Sequence, residues 1–239
     1  MKGFVVSDYG RFASLKGEFE AEGLSREEIA VEVIFAARRG LDYLVKIGGC
    51  EAKSDIDYLR RLGVTSLVAP MIESGFAMSK YRDALPAGHF KHIGVTIETI
   101  TAVDRIEEIL DAGSHLTDVT IGRSDLTASY GGEGVDSPRT IEMVKVVAKA
   151  ARARGRHVTM GGSVNVKTLH LLREDAELAG LVDYVETRKV IMKSSDFVQD
   201  GTLEAAIAAE LELLDLRTGP MESALGKATK RATQIRERL

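Results

Sequence analysis

Glu98 lies in the run GVTIETI (94–100) as the lone charge among Val95, Ile97 and Ile100. A carboxylate in a strand that reads as buried is costly unless a cation, a metal or a hydrogen-bond donor meets it. A second carboxylate, Asp125, follows another β-rich run in IGRSDL (121–126). If these runs are consecutive parallel strands, about 5 Å apart, the two carboxylates can reach one Mg²⁺. That hard cation takes oxygen ligands and usually keeps waters that substrate oxygens can replace. On spacing alone ordinary ion pairs are favoured over the metal: Glu98 with Lys46 or Arg188, and Asp125 with Arg123 or a helix N-terminus.

Further ionisable groups and glycines recur at the ends of the other β-rich runs. SLKGEFE leads into Glu18, Glu20 and Glu22, which share one face if the strand continues. Lys46 precedes Gly48 and Gly49, TSLVAPMI reaches Pro70 and Glu73, and VDYVETRKV carries Glu186, Arg188 and Lys189. Folding alone does not call for such convergence, since buried charges destabilise unless paired. GGS (161–163) is a weak phosphate cradle ahead of a helical stretch. The glycine-rich YGGEGVDS (130–137) lacks a P-loop lysine and reads as a mobile lid. Cys50 is a filler, because a nucleophile needs a base beside it.

The elements that must position these groups alternate in texture. Extended runs are expected at 14–20, 42–49, 65–72, 92–99, 117–122, 156–162 and 182–190. Between them lie helical stretches with clear punctuation. Ser25 and Glu28 form a capping box and Gly40 is the stop; Ser54 and Asp57 repeat the start, with Gly63 as the stop. Thr101 and Asp104 open a third helix ending near Gly113. Pro138 follows Ser137 at the first position of a fourth, and Gly155 ends it. A strand–helix repeat of about 25 to 30 residues is that of parallel βα units. Seven strands in 239 residues favour an α/β fold of the (β/α)₈ TIM-type barrel, typically about 250 residues, over an open doubly wound sheet. GFVVSD (3–8) is a candidate eighth strand, but it lies too close to the next for a parallel crossover. Either the first unit is irregular, or residues 1–12 form a helix closing one end.

A single barrel domain is expected over residues 1–218, including an amphipathic helix after Gly201. A basic helical extension follows over 219–239, either solvated or packed on a neighbouring subunit. The formal charge of -4 and 44% hydrophobic content describe an ordinary globular chain with no nucleic-acid signal. One cysteine excludes an internal disulfide, and no apolar run reaches the roughly 18 residues of a membrane span. A cytoplasmic protein is the expectation. In a barrel the active site lies at the C-terminal strand ends. The five histidines, His89, His92, His115, His157 and His170, fall before strands or inside helical stretches and read as structural.

APMIES (69–74), VTIET (95–99) and IGRSDLTASYG (121–131), in this order, resemble the HpcH/HpaI aldolase and citrate lyase β-subunit-like family from about residue 15 to 215. The resemblance implies a (β/α)₈ barrel holding Mg²⁺ or Mn²⁺ through Glu98 and Asp125. It implies a carbon–carbon lyase that acts on a small 2-keto acid of pyruvate or oxaloacetate type through an enolate, in a homo-oligomer. The chain departs from the family twice. Lys46 stands where an arginine is usual, and lysine cannot form the bidentate fork. No histidine follows the strand of EFEAEG, so acid–base work falls to Glu18, Glu20, Lys46 or a metal-bound water. The expected site therefore has Lys46 and Glu20 as catalytic groups, and Arg188, Arg123, Gly122 and Gly48 at the substrate. Lys46 or Lys189 as a Schiff base is a second choice. The alternatives are a phosphate- or phosphoenolpyruvate-binding barrel using GGS and Arg188, and a non-catalytic scaffold.

Overall fold

A computed structural model of the chain describes residues 9–236, so the candidate strand at 3–8 lies outside the described residues. Eight strands close into one barrel in sequence order. They are β1 (Phe12–Glu18), β2 (Asp42–Lys46), β3 (Ser66–Ala69), β4 (His92–Ile97), β5 (Asp118–Gly122), β6 (His157–Gly161), β7 (Tyr184–Glu186) and β8 (Val190–Lys193). The (β/α)₈ TIM-type expectation holds, with the irregularity at the last unit rather than the first. The run expected at 182–190 is two strands. Thr187–Lys189 turns the chain back, and β8 pairs antiparallel with both β7 and β1. Six parallel pairings join β1 through β7.

The helices are α1 (Arg26–Ala37), α2 (Lys53–Leu62), α3 (Gly75–Ala84), α4 (Ile100–Asp104), α5 (Ile106–Ala112), α6 (Arg123–Ser129), α7 (Pro138–Ala153), α8 (Val166–Glu174), α9 (Ala176–Leu181), α10 (Ser194–Phe197) and α11 (Thr202–Arg236). Ser25 and Glu28 cap α1 reciprocally, and Ser137 caps α7 with Pro138 in the first turn. The helix containing Ser54 and Asp57 starts earlier than expected, at Lys53, without a side-chain cap. Thr99 rather than Thr101 caps α4, and Arg105 breaks that stretch in two.

The main core lies between barrel and helices, where Ile29, Leu59, Met78, Ile109, Val144 and Leu178 are fully buried. Close approach fixes one glycine in the wall. A Cβ on Gly17 would fall 2.0 Å from the Tyr43 hydroxyl, which donates to Glu32 on α1 at 2.5 Å. After β8 the chain is back at the N-terminal end of the barrel, where Arg11 donates to Asp200 O and Thr202 Oγ1. From there α11 runs along the barrel, burying Leu203, Ala206, Ala209 and Leu213. Its backbone stays helical through Gly219 and Pro220, so the extension expected from residue 219 continues the preceding helix. A proline removes one intrahelical bond and can bend a helix without ending it. Among the described residues no helix is long and apolar enough to cross a membrane.

Candidate active site

The C-terminal ends of β1, β2, β4, β5 and β7, with the turn after β6, line a cavity of about 350 Å³, at the small end of the range for ligand pockets. Period-two alternation on β1 turns Ser14, Lys16 and Glu18 to one face; Lys16 and Glu18 reach the cavity. Lys46 ends β2 beside Glu18 in register, and Glu98 directly follows β4.

Glu98 is 2% exposed, and two neighbours answer the cost of its charge. Lys46 Nζ donates to Oε2 at 3.1 Å, and the Met71 N–H donates to Oε1 at 3.0 Å. Met71 presents that N–H from a left-handed backbone, φ 52°, a conformation that costs energy for a residue with a Cβ. Gly122 leaves the room: a Cβ there would lie 2.9 Å from Glu98 Cβ and 3.0 Å from Oε2. Burial raises the Glu98 carboxyl above the usual carboxylate range despite Lys46, and the Asp125 charge adds to the rise. Asp125 sits in the first turn of α6 rather than at the end of β5. It is exposed to the cavity and has no side-chain partner among the described residues.

A second charged group faces these from β1 and β7. Lys16, 5% exposed, lies 2.6 Å from Glu18 Oε1 and 2.5 Å from Glu186 Oε1. Burial works against the ammonium, but Glu186 and Glu18 raise its pKa above the ordinary value. For Glu18 burial is likewise outweighed, by Lys16, Lys46 and Arg188, and its carboxyl lies below the usual range. Arg188 stands exposed in the turn between β7 and β8 and lines the cavity with Thr187. From α11, Ile207 and Glu210 complete the wall, with Glu210 accepting the Lys189 N–H at 3.0 Å. The lining carboxylates are Glu18, Glu98, Asp125, Glu186 and Glu210, and the lining cations are Lys16, Lys46 and Arg188. Negative charge exceeds positive by two.

Four expected site residues, Lys46, Glu98, Asp125 and Gly122, meet at one side of this cavity, and Arg188 reaches its mouth. Three others lie outside its lining. Arg123 is fully buried and its donors are spent on the fold. Nε donates to Gly161 O at 3.0 Å, Nη2 to Gly162 O at 3.0 Å and Thr168 Oγ1 at 3.2 Å, and Nη1 pairs with Asp136. It is a clamp on the turn after β6 and does not line the cavity. Glu20 is exposed and outside the lining, because β1 ends at Glu18 and the chain turns. Gly48 is also outside it; its N–H donates to Asp55 Oδ2 at 3.0 Å, and Glu20 fills the space a side chain would take. Lys189, the alternative Schiff-base lysine, points away from the cavity to Glu22 and Glu32, at 2.7 and 2.8 Å. In YGGEGVDS, Asp136 binds Arg123 and Gly134 O accepts from Thr140 at 2.9 Å, so this loop is tied to the wall.

The position of an Ile-Glu-Thr strand end beside a Gly-x-x-Asp-Leu turn agrees with a wider sequence match. The pattern described as HpcH/HpaI aldolase/citrate lyase matches residues 30–183. The chain belongs to the HpcH/HpaI aldolase/citrate lyase family. An HpcH/HpaI aldolase from Desulfitobacterium hafniense DCB-2 is 16% identical with a TM-score of 0.61, over 84% of this chain and 82% of that one. An HpcH/HpaI aldolase/citrate lyase family protein from Burkholderia cenocepacia J2315 is 16% identical with a TM-score of 0.62, over 84% and 87%. The citrate lyase β subunit from M. tuberculosis, solved with oxaloacetate and magnesium, is 18% identical with a TM-score of 0.54, over 77% and 83%. At these identities the likeness is one of fold. No curated protein matches the chain in sequence.

The family implies a divalent metal, and the donors suit one. Glu98 and Asp125 offer hard oxygens on one cavity, those of Asp125 are engaged by none of the described residues, and the lining carries excess negative charge. The described residues hold no group of three or more His, Cys, Asp or Glu able to enclose a metal. Two carboxylates with the remaining positions open to water and substrate is the arrangement Mg²⁺ favours.

Proposed function

We propose that this family member is a Mg²⁺- or Mn²⁺-dependent carbon–carbon lyase acting on a small 2-keto acid of pyruvate or oxaloacetate type. The observation that carries the reading is the convergence of Glu98, Asp125 and Lys46 on one polar cavity of about 350 Å³. Glu98 and Asp125 hold the metal, which when bound polarises the keto group of the substrate and stabilises its enolate. Lys46 leaves Glu98 for the substrate carboxylate, and as a point charge it fixes that group's position less tightly than an arginine fork would. The Thr96 and Thr120 side chains line the floor and Ser124 the wall, giving hydroxyls to substrate oxygens. Arg188, exposed at the mouth, meets an anionic or carbonyl group on the departing half. The citrate lyase subunit solved with oxaloacetate and magnesium supports this substrate class by analogy of fold. The excess negative charge disfavours the phosphate-binding alternative, since a phosphate would add to it.

The test is exchange of pyruvate methyl protons with solvent deuterium, followed by NMR. Exchange that needs Mg²⁺ or Mn²⁺ and disappears in Asp125→Ala is the expected result. A wild-type protein inert with both metals overturns the reading and favours a non-catalytic scaffold. We further propose a homo-oligomer built on the face of α1 and α11, where Val31, Ile34, Leu211 and Leu214 are exposed apolar groups; light scattering on the purified chain reads its mass.

A further inference from the structure

The reaction class above needs a proton carrier, and the residues matched to the family supply none. The cavity itself offers a belt of alternating charge across its floor: Glu186, Lys16, Glu18, Lys46, Glu98. The contacts along it are 2.5 Å from Glu186 to Lys16, 2.6 Å from Lys16 to Glu18 and 3.1 Å from Lys46 to Glu98. Glu18 and Lys46 are register partners on adjacent strands. Lys16 is held by two carboxylates, which keeps it an ammonium and unsuited to Schiff-base chemistry. Glu186 is drawn to the same lysine on the far side of the belt from Glu98. Glu18 is thus the carboxylate beside the lysine that contacts Glu98, with Oε1 engaged by Lys16. No salt bridge or hydrogen bond of the described residues takes its Oε2.

We propose that Glu18 is the catalytic proton carrier of this enzyme and that Lys16, anchored by Glu186, is the residue that positions it. The inference rests on the lyase reading and names the group that reading leaves open. In the cleavage direction Glu18 takes the proton of the hydroxyl on the carbon of the scissile bond that leaves with the departing half. The O–H electrons form the new carbonyl of the departing half, the carbon–carbon bond breaks, and its electron pair passes to the 2-keto acid as an enolate. The Glu18 acid then returns its proton to the enolate carbon, so the enzyme ends in its starting state. In pyruvate exchange the same oxygen removes a methyl proton and returns a deuteron.

The experiment is metal-dependent pyruvate exchange in wild type, Glu18→Gln, Glu18→Ala and Lys16→Met, with binding of Mg²⁺ plus oxalate followed in parallel by thermal shift. The expected result is a loss of about 100-fold or more in Glu18→Gln with the oxalate-dependent shift retained. Added formate should restore part of the exchange in Glu18→Ala, which a merely structural role would not allow. In Lys16→Met the acid limb of the pH profile should move to higher pH, because Glu18 loses the cation that favours its charge. Lys46, Arg188, Glu22 and Glu186 also act near Glu18 or on its clamp and stay unchanged in this variant. Exchange in Glu18→Gln at the wild-type rate overturns the proposal alone. Loss without formate rescue and with the profile of Lys16→Met unmoved assigns the belt to structure and also overturns it. An inert wild type instead removes the lyase reading and this proposal with it.

Discussion

The Lys46 ammonium rests 3.1 Å from Oε2 of Glu98, on a carboxylate that is also a proposed metal ligand. The lysine and the metal thus compete for one buried group, each neutralising the charge in the other's absence. Lys46→Met should therefore tighten Mg²⁺ binding, by roughly tenfold or about 1.4 kcal/mol, while slowing pyruvate exchange. Calorimetric titration with Mg²⁺ reads the affinity; unchanged or weaker binding would show that the ammonium does not hold the site for the metal.

Gly122 is the glycine on which Glu98 depends. A methyl group there falls 2.9 Å from Glu98 Cβ, and such overpacking typically costs about 1–3 kcal/mol. Gly122→Ala should keep the barrel's circular dichroism and lose most of the Mg²⁺-dependent thermal shift. A full metal response in this variant would separate Gly122 from the site.

Arg123→Met should act on stability. Removing the guanidinium takes this donor from Gly161 O and Gly162 O and leaves Asp136 with only the Thr168 hydroxyl, and breaking such a buried pair costs about 3–5 kcal/mol. Urea denaturation measures it. A stable Arg123→Met with weakened substrate binding would return this arginine to the substrate.

Glu18 links stability to pH. Its folded-state pKa is depressed: burial opposes the charge, but Lys16, Lys46 and Arg188 outweigh it. A depressed carboxyl contributes stability above its unfolded pKa and loses it as pH falls through the folded value. Denaturation curves at neutral pH should therefore show Glu18→Gln less stable than wild type. The difference should shrink on acidification through and below the ordinary carboxylate range; a difference that grows would refute the sign.

Much of the architecture is legible because its signals are local. The capping pair Ser25 and Glu28, the Ser137–Pro138 start and the strand–helix spacing need no partner elsewhere in the chain. Glu98 is legible for a related reason, since a charge inside an apolar run requires an explanation. The closing hairpin was hidden because Glu186-Thr-Arg-Lys-Val190 reads as continuous extended chain, and only pairing with β1 shows that Val190 travels the other way. Glu20 falls outside the cavity because the alternation of β1 ends at Glu18. Arg123 misleads because its neighbours line the cavity, while its own side chain turns back to the β6 turn. Lys16 is legible by the same alternation: it precedes Glu18 by two and so shares its face.

The reversed eighth strand has an effect on how this cavity can diversify. Because β8 runs against its neighbours, the hairpin turn delivers Thr187 and Arg188 to the mouth, and the returning chain adds Ile207 and Glu210 from α11. These residues, with Lys16 and Glu18, all lie outside the stretch 30–183 that carries the family pattern, whereas Lys46, Glu98, Gly122 and Asp125 lie within it. The seam where the barrel closes therefore lies outside the matched stretch. Substitutions along β1, the turn between β7 and β8 and α11 can change one side of the cavity while Lys46, Glu98, Gly122 and Asp125 stay as they are.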